Sequence, residues 1–231
     1  MEKRVGFIGL GNMGTPMSGR LLEAGHEVWG YDINPDAVEV LVQRGGRAAA
    51  SIGEVAQNTP TVLLSLPDSK AVEGVVEGEG GLLRTAADGQ VIIDMSTSHP
   101  SSTRRLGKLL KEKGIDFLDA PVSGGVRGAV AGTLTVMVGG EENLFEKSEP
   151  VLRVFGPNVH YIGGPGAGHI LKALNNFLSA SHLLATSEAM IIATRLGLDP
   201  DRTIEILNQS TGRSNTSEVK FPKYILPRTF D

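Results

Sequence analysis

The chain has 231 residues, with 22 basic against 26 acidic side chains, a formal net charge of −4, 40% hydrophobic and 21% charged residues. That balance fits a soluble globular protein and gives no general attraction for nucleic acid or an anionic membrane. It contains no cysteine, so disulfides and thiolate metal sites are excluded and a cytoplasmic setting is expected.

The first element begins almost at once, with no basic segment and long apolar stretch before it. Neither a secretory leader nor a membrane span is therefore expected. An apolar strand, Val5–Gly9, runs into Gly9, Gly11 and Gly14 at the spacing G-x-G-x-x-G, and then into a helix over Met13–Glu23. A second apolar run, Val28–Tyr31, ends at Asp32, 18 residues after Gly14. In that context the glycines form a dinucleotide-binding fingerprint. Gly9 allows the tight turn, Gly11 lets the backbone approach a diphosphate, and Gly14 lets the helix pack on the strand. The diphosphate would sit on N–H groups at the helix N-terminus, so Leu10, Asn12 and Met13 join the glycines as cofactor-binding candidates. A carboxylate at Asp32 can accept both hydroxyls of an adenosine ribose and would repel a 2′-phosphate. It favours NAD and leaves NADP open. Its other reading is a turn or cap residue before Asn34-Pro35.

Further strands are expected at Thr61–Ser65, Val91–Asp94, Asp116–Ala120, Leu134–Val138 and Val159–Ile162. They alternate with helical patterns over Ala37–Gln43, Ala71–Val76, Thr103–Lys113 and Leu144–Val154. This predicts an α/β fold, a Rossmann-type doubly wound and mainly parallel sheet, over residues 1–165. The near-continuous apolar run Thr61–Leu66 suits a strand buried on both faces. Ligands in such sheets bind beyond the strand C-termini, which makes Leu66, Pro67 and Thr97 cofactor-side candidates. Asp119-Ala-Pro-Val-Ser-Gly-Gly125 is a strand end opening into glycines. There Ser123 offers a hydroxyl, and Gly124 and Gly125 offer backbone N–H groups that could cradle a carboxylate; a plain strand-exit turn is the alternative. The five histidines, His26, His99, His160, His169 and His182, show no paired ligand spacing, so no metal site is expected.

After Gly163–Gly168 the pattern changes. From His169 to Arg195 there is neither proline nor glycine, enough for a helix about 40 Å long at roughly 1.5 Å per residue. It closes at Gly197, and Asp199-Pro200-Asp201 starts another helix over Arg202–Gln209. Residues 166–231 read as a long interdomain helix and the start of an all-α domain, too short for a self-sufficient core. Near its start, Lys172, Asn175, Asn176 and Ser179 fall at helical intervals, with Lys172 and Asn176 on one face. A desolvated lysine there can have a lowered pKa and exchange protons near neutrality. A solvated surface lysine is the other reading.

These segments together resemble the β-hydroxyacid dehydrogenases, the family of 3-hydroxyisobutyrate dehydrogenase. The matching residues are Gly6–Gly14 with Pro16-Met17, Asp119–Gly125, Gly132–Gly140, and Gly166-Ala-Gly168 with Lys172, Asn175 and Asn176. The resemblance implies an NAD-dependent oxidoreductase, with NADP possible, interconverting a short 3-hydroxy acid and its semialdehyde. In it Lys172 is the general acid/base and Asn176 holds substrate and lysine in register. Ser123, Gly124, Gly125 and Asn175 bind a small carboxylate-bearing substrate, and Thr97 meets the nicotinamide-side ribose. In the family, the segment resembling Glu218–Asp231 is followed by further helices and a second active-site lysine. The chain is therefore expected to be C-terminally truncated, with an apolar helical part available for a homo-oligomer. Alternatives are a 6-phosphogluconate dehydrogenase-like enzyme, for which the loop offers only Arg127 as a cation, and a non-catalytic nucleotide-binding scaffold.

Overall fold

The computed structural model describes residues 3–229, in two compact units, one running to Lys172 and one from Ala173. In the first, the apolar runs become β1 (Arg4–Ile8), β2 (Glu27–Tyr31), β3 (Arg47–Ala48), β4 (Thr61–Leu64) and β5 (Val91–Asp94). They are followed by β6 (Asp116–Asp119), β7 (Val122–Ser123), β8 (Thr135–Gly139) and β9 (Asn158–Gly163). One nine-stranded sheet results, in the order β3-β2-β1-β4-β5-β6-β8-β7, with β9 paired to β8. Neighbours from β3 to β6 are parallel, whereas β8 runs antiparallel to β6 and β7 and parallel to β9. The strand order reverses at β1, between β2 and β4. A sheet of this kind holds its ligand in the crevice at that reversal.

Alternation along each strand divides the core between the two faces. Val5 and Phe7 of β1, Leu63 of β4 and Ile93 of β5 pack with Met17 and Leu21 of α1 (Gly14–Glu23) and Leu144, Val151 and Leu152 of α8 (Glu142–Leu152). Ile8, Val62, Leu64 and Ile92 face the other way, onto α3 (Ile52–Asn58), α4 (Ser69–Glu77), α5 (Leu82–Thr85) and α6 (Pro100–Lys111). Leu41 of α2 (Pro35–Gln43) and Ala129 of α7 (Gly125–Ala131) complete the first face. A doubly wound sheet with helices on both faces is the predicted architecture.

Five short elements depart from the predicted pattern: β3, α3, α5, β7 and α7. Of these, α7 begins at Gly125, the last residue of the expected glycine loop. Its glycines are poor helix formers, but Ala129 is buried in the core and Gly132 closes the helix in the left-handed conformation at φ +66°. Packing and a C-terminal glycine outweigh weak propensity there. The helix α3 has a signature in the sequence: Ser51 Oγ accepts the Glu54 amide and Glu54 Oε2 accepts the Ala50 amide, a reciprocal cap.

The helix α9 (Ala167–Arg195) crosses from the first unit into the second. No membrane span is expected from the sequence, yet among the described residues this is the one helix long and apolar enough to cross a membrane by length and composition. Lys172, Asn175, Asn176 and Glu188 interrupt it, and such groups are costly in hydrocarbon. In the second unit, Asp199 accepts the Arg202 amide at 2.8 Å and caps α10 (Pro200–Asn208). The proline-marked segment Thr216–Ile225 forms a π-helix with Pro222 inside it. Its Phe221 is buried with Met190 and Ile204, and that burial overrides the local signal.

Candidate active site

The glycine turn after β1 has a closed back and an open front. Gly9 adopts φ +94°, and a Cβ there would lie 2.2 Å from the Ser65 carbonyl oxygen. A Cβ on Gly14 would lie 1.8 Å from the Gly9 oxygen, whereas one on Gly11 would meet nothing within 4 Å. The helix α1 has Met13 as its N-cap residue with no side-chain cap. The Thr15 amide is bonded to the Gly11 oxygen at 2.9 Å and Pro16 has no N–H, while the helix dipole at this end favours an anion. This geometry fits the diphosphate of a dinucleotide.

Asp32, at the end of β2, faces the same turn. One carboxylate oxygen accepts the Leu10 amide at 2.6 Å and the other accepts the Asn34 amide at 2.8 Å. Each oxygen keeps a lone pair for a further donor, so the turn-residue and ribose-acceptor readings coexist. No cation follows it: the next side chain is Ile33, 92% exposed.

A cleft of about 910 Å³ collects most of the candidates, near the upper end of the roughly 300–1,000 Å³ of small-molecule sites. Gly9, Gly11, Asn12, Met13, Asp32, Leu66, Pro67, Thr97, Gly125 and Lys172 all line it. Leu10 is buried in the core and gives its amide to Asp32, while Gly14 packs behind the turn. Ser123 lies in β7 opposite Thr135, and Gly124 is the N-cap of α7. Asn175 and Asn176 fall three and four residues beyond Lys172 on α9, in the stretch that belongs to the second unit.

Lys172 is partly buried, and that desolvation pushes its ammonium below the usual lysine pKa. Its helix is anchored by a residue that sequence reasoning passed over. Asp119, at the end of β6, accepts the amides of Gly166 at 2.8 Å and His169 at 2.9 Å. It caps α9 from a neighbouring strand, which no local spacing reveals. Its place at the head of the Asp119–Gly125 segment was the available signal. Tyr31, Ser65, Met95 and Ser96 also line the cleft and were not singled out.

A sheet that can seat a dinucleotide at its strand reversal, with a desolvated amine on the same cleft, defines a class: the NAD(P)-dependent oxidoreductases. Comparison with known proteins narrows it. A family profile described as the NAD binding domain of 6-phosphogluconate dehydrogenase matches residues 4–163. A second, described as the NAD-binding of NADP-dependent 3-hydroxyisobutyrate dehydrogenase, matches residues 166–231. The chain belongs to the β-hydroxyacid dehydrogenase family, the NAD(P)-dependent 3-hydroxyacid dehydrogenases. It is 43% identical to 2-(hydroxymethyl)glutarate dehydrogenase of Eubacterium barkeri, across 100% of this chain and 77% of that one. It is 41% identical to the mitochondrial 3-hydroxyisobutyrate dehydrogenase of Mus musculus, across 94% of this chain and 65% of that one. The structure of Mycobacterium tuberculosis 3-hydroxyisobutyrate dehydrogenase with L-serine superimposes with a TM-score of 0.90 at 34% identity, covering 97% of this chain and 76% of the other.

Proposed function

We propose that this protein interconverts a short 3-hydroxy acid and its semialdehyde, with Lys172 as the group that moves the proton. The observation that carries the reading is that Lys172 lines the same cleft as Gly11, Asp32 and Thr97. A nicotinamide dinucleotide, when bound, supplies the hydride donor or acceptor for the carbinol carbon. The chain's own contribution is binding, orientation and proton transfer. In the oxidative direction the neutral Lys172 amine takes the hydroxyl proton as the carbinol carbon loses its hydride. In the reductive direction the ammonium returns that proton to the forming alkoxide. The lowered pKa enlarges the neutral fraction needed for the first of these.

The glycine turn, Asp32, Leu66, Pro67 and Thr97 would hold the dinucleotide. Ser123, Gly124 and Gly125 would take the substrate carboxylate, with Asn175 and Asn176 beside Lys172 on α9. The L-serine in the Mycobacterium tuberculosis homologue is a 3-hydroxy acid, which supports this substrate class. We further propose that a second copy of the chain covers the apolar side of α9. Leu174, Phe177 and Leu184 are 55%, 67% and 63% exposed there, more apolar surface than a lone helix usually shows to water.

The test is a panel of 3-hydroxyisobutyrate, 2-(hydroxymethyl)glutarate and L-serine with NAD⁺ and NADP⁺, read by formation of reduced nicotinamide. Turnover of at least one acid supports the proposal. Nucleotide binding with no turnover of any of them would favour the scaffold reading.

A further inference from the structure

His169 stands one helical turn before Lys172 on α9 and is 1% exposed. Its ring is held at both nitrogens. Nε2 lies 3.0 Å from the Ser96 carbonyl oxygen, which can only accept, so Nε2 carries a proton. Nδ1 lies 2.8 Å from the Thr103 hydroxyl of α6, which donates to it in the neutral ring. Two buried carboxylates flank the imidazole, Asp94 Oδ2 at 3.9 Å from Nε2 and Asp119 Oδ2 at 3.8 Å from Nδ1.

Two of these partners, Asp94 and Ser96, reach the cleft through their own bonds. Asp94 accepts the Ser96 amide and the Ser98 hydroxyl, both at 3.0 Å. Ser96 Oγ accepts the Leu66 amide at 2.9 Å. Leu66, Ser96 and Thr97 line the cleft together with Lys172. The ring therefore ties the loops after β4 and β5 to the first turn of α9. Asp119 already satisfies the amides of that turn, so the helix end does not need the imidazole as a cap. What the ring adds is rotation: two directed bonds from α6 and the post-β5 loop fix the azimuth of α9 about its axis. A residue three positions along shares that face of the helix, and Lys172 is at that position.

We propose that His169 is a positioning residue, whose imidazole, bridged between Thr103 and Ser96, sets where the Lys172 amine stands beside the Ser96–Thr97 loop. The inference rests on the reading of Lys172 as the proton-transfer group, but it has a readout that needs neither nucleotide nor substrate. With the chain's amines reductively ¹³C-methylated, the Lys172 resonance is assigned by its loss in Lys172→Arg and titrated in wild type, His169→Phe and His169→Gln. Phe fills the volume without either bond, and Gln restores a donor toward Ser96. In folded His169→Phe the Lys172 midpoint is expected to move up toward the ordinary lysine value, and in His169→Gln to return at least halfway. Turnover of 3-hydroxyisobutyrate or L-serine should show kcat reduced tenfold or more by Phe, with the KM for NAD⁺ within twofold.

A folded His169→Phe with an unmoved Lys172 midpoint overturns the proposal. If that variant does not fold, Thr103→Val removes one of the two bonds at constant shape. A shifted midpoint there supports the role and an unmoved one refutes it. If wild type turns over no hydroxy acid, the functional reading fails, while the lysine titration still decides the role of His169.

Discussion

The carboxylate of Asp32 accepts the backbone N–H of Leu10 at 2.6 Å, so the end of β2 holds the glycine turn that follows β1. The residue we propose as the ribose acceptor is thus also a strut of the turn, and two substitutions separate the roles. Asp32→Asn keeps an oxygen for Leu10, gives up the one used by the exposed Asn34 amide, which water can satisfy, and removes the negative charge. It is expected to unfold near the wild-type urea midpoint while NADP⁺ binding improves relative to NAD⁺. Asp32→Ala leaves the Leu10 amide without its acceptor and should lose about 1–3 kcal/mol of stability. Equal urea midpoints for Ala and wild type would contradict the strut.

The turn's closed back and open front make opposite demands on two glycines. Gly14→Ala must displace the Gly9 carbonyl or the helix, since the added Cβ would lie 1.8 Å from that oxygen. Overpacking of this kind costs roughly 1–3 kcal/mol. Gly11→Ala meets open space and should melt within a few degrees of wild type, yet its methyl enters the room needed by the diphosphate. Calorimetric titration with NAD⁺ should show weakened binding for both, and thermal melting should separate them.

Burial of Lys172 has consequences for both rate and stability. With Lys172 as the proposed proton-transfer group, its lowered pKa should place the rise in oxidation rate with pH below the usual lysine range, with a plateau above it. Reduction, which on this proposal uses the ammonium, should fall over the same interval. The folded chain releases this proton at lower pH than the unfolded chain, so between the two pKa values the unfolded state binds more protons. Stability from this group therefore grows as pH rises through that window. Lys172→Met removes the cost of burying the charge. It should melt above wild type at neutral pH, with the difference closing as the pH approaches the ordinary lysine value.

Phe177 and Leu178, at 67% and 53% exposure, test the proposed association of two chains. Replacing both with Glu is expected to lower the mass seen by light scattering to that of one chain. An unchanged mass for wild type and variant, at any multiple, would remove α9 from the interface.

The strongest local signals carried furthest. The β1 strand, the G-x-G-x-x-G turn and Asp32 could be placed from spacing alone, because each depends on neighbours close in sequence. Lys172 was legible through the resemblance and its apolar surroundings. What escaped depends on partners far along the chain. Asp119 caps a helix 47 and 50 residues away, and His169 meets Ser96 across 73 residues. A buried histidine looks like any other in the sequence when its partners come from β5, β6 and α6. Similarly, α7 and the Thr216–Ile225 π-helix form against glycine and proline signals because tertiary burial of Ala129 and Phe221 outweighs them.

The most direct test of Lys172 as the proton-transfer group is the rate of reduced-nicotinamide formation by Lys172→Ala, with saturating NAD⁺ and the best acid of the panel. The expected result is a loss of about 10²-fold or more, the lower end for a positioned acid/base, with NAD⁺ affinity unchanged. A rate within twofold of wild type would contradict the role.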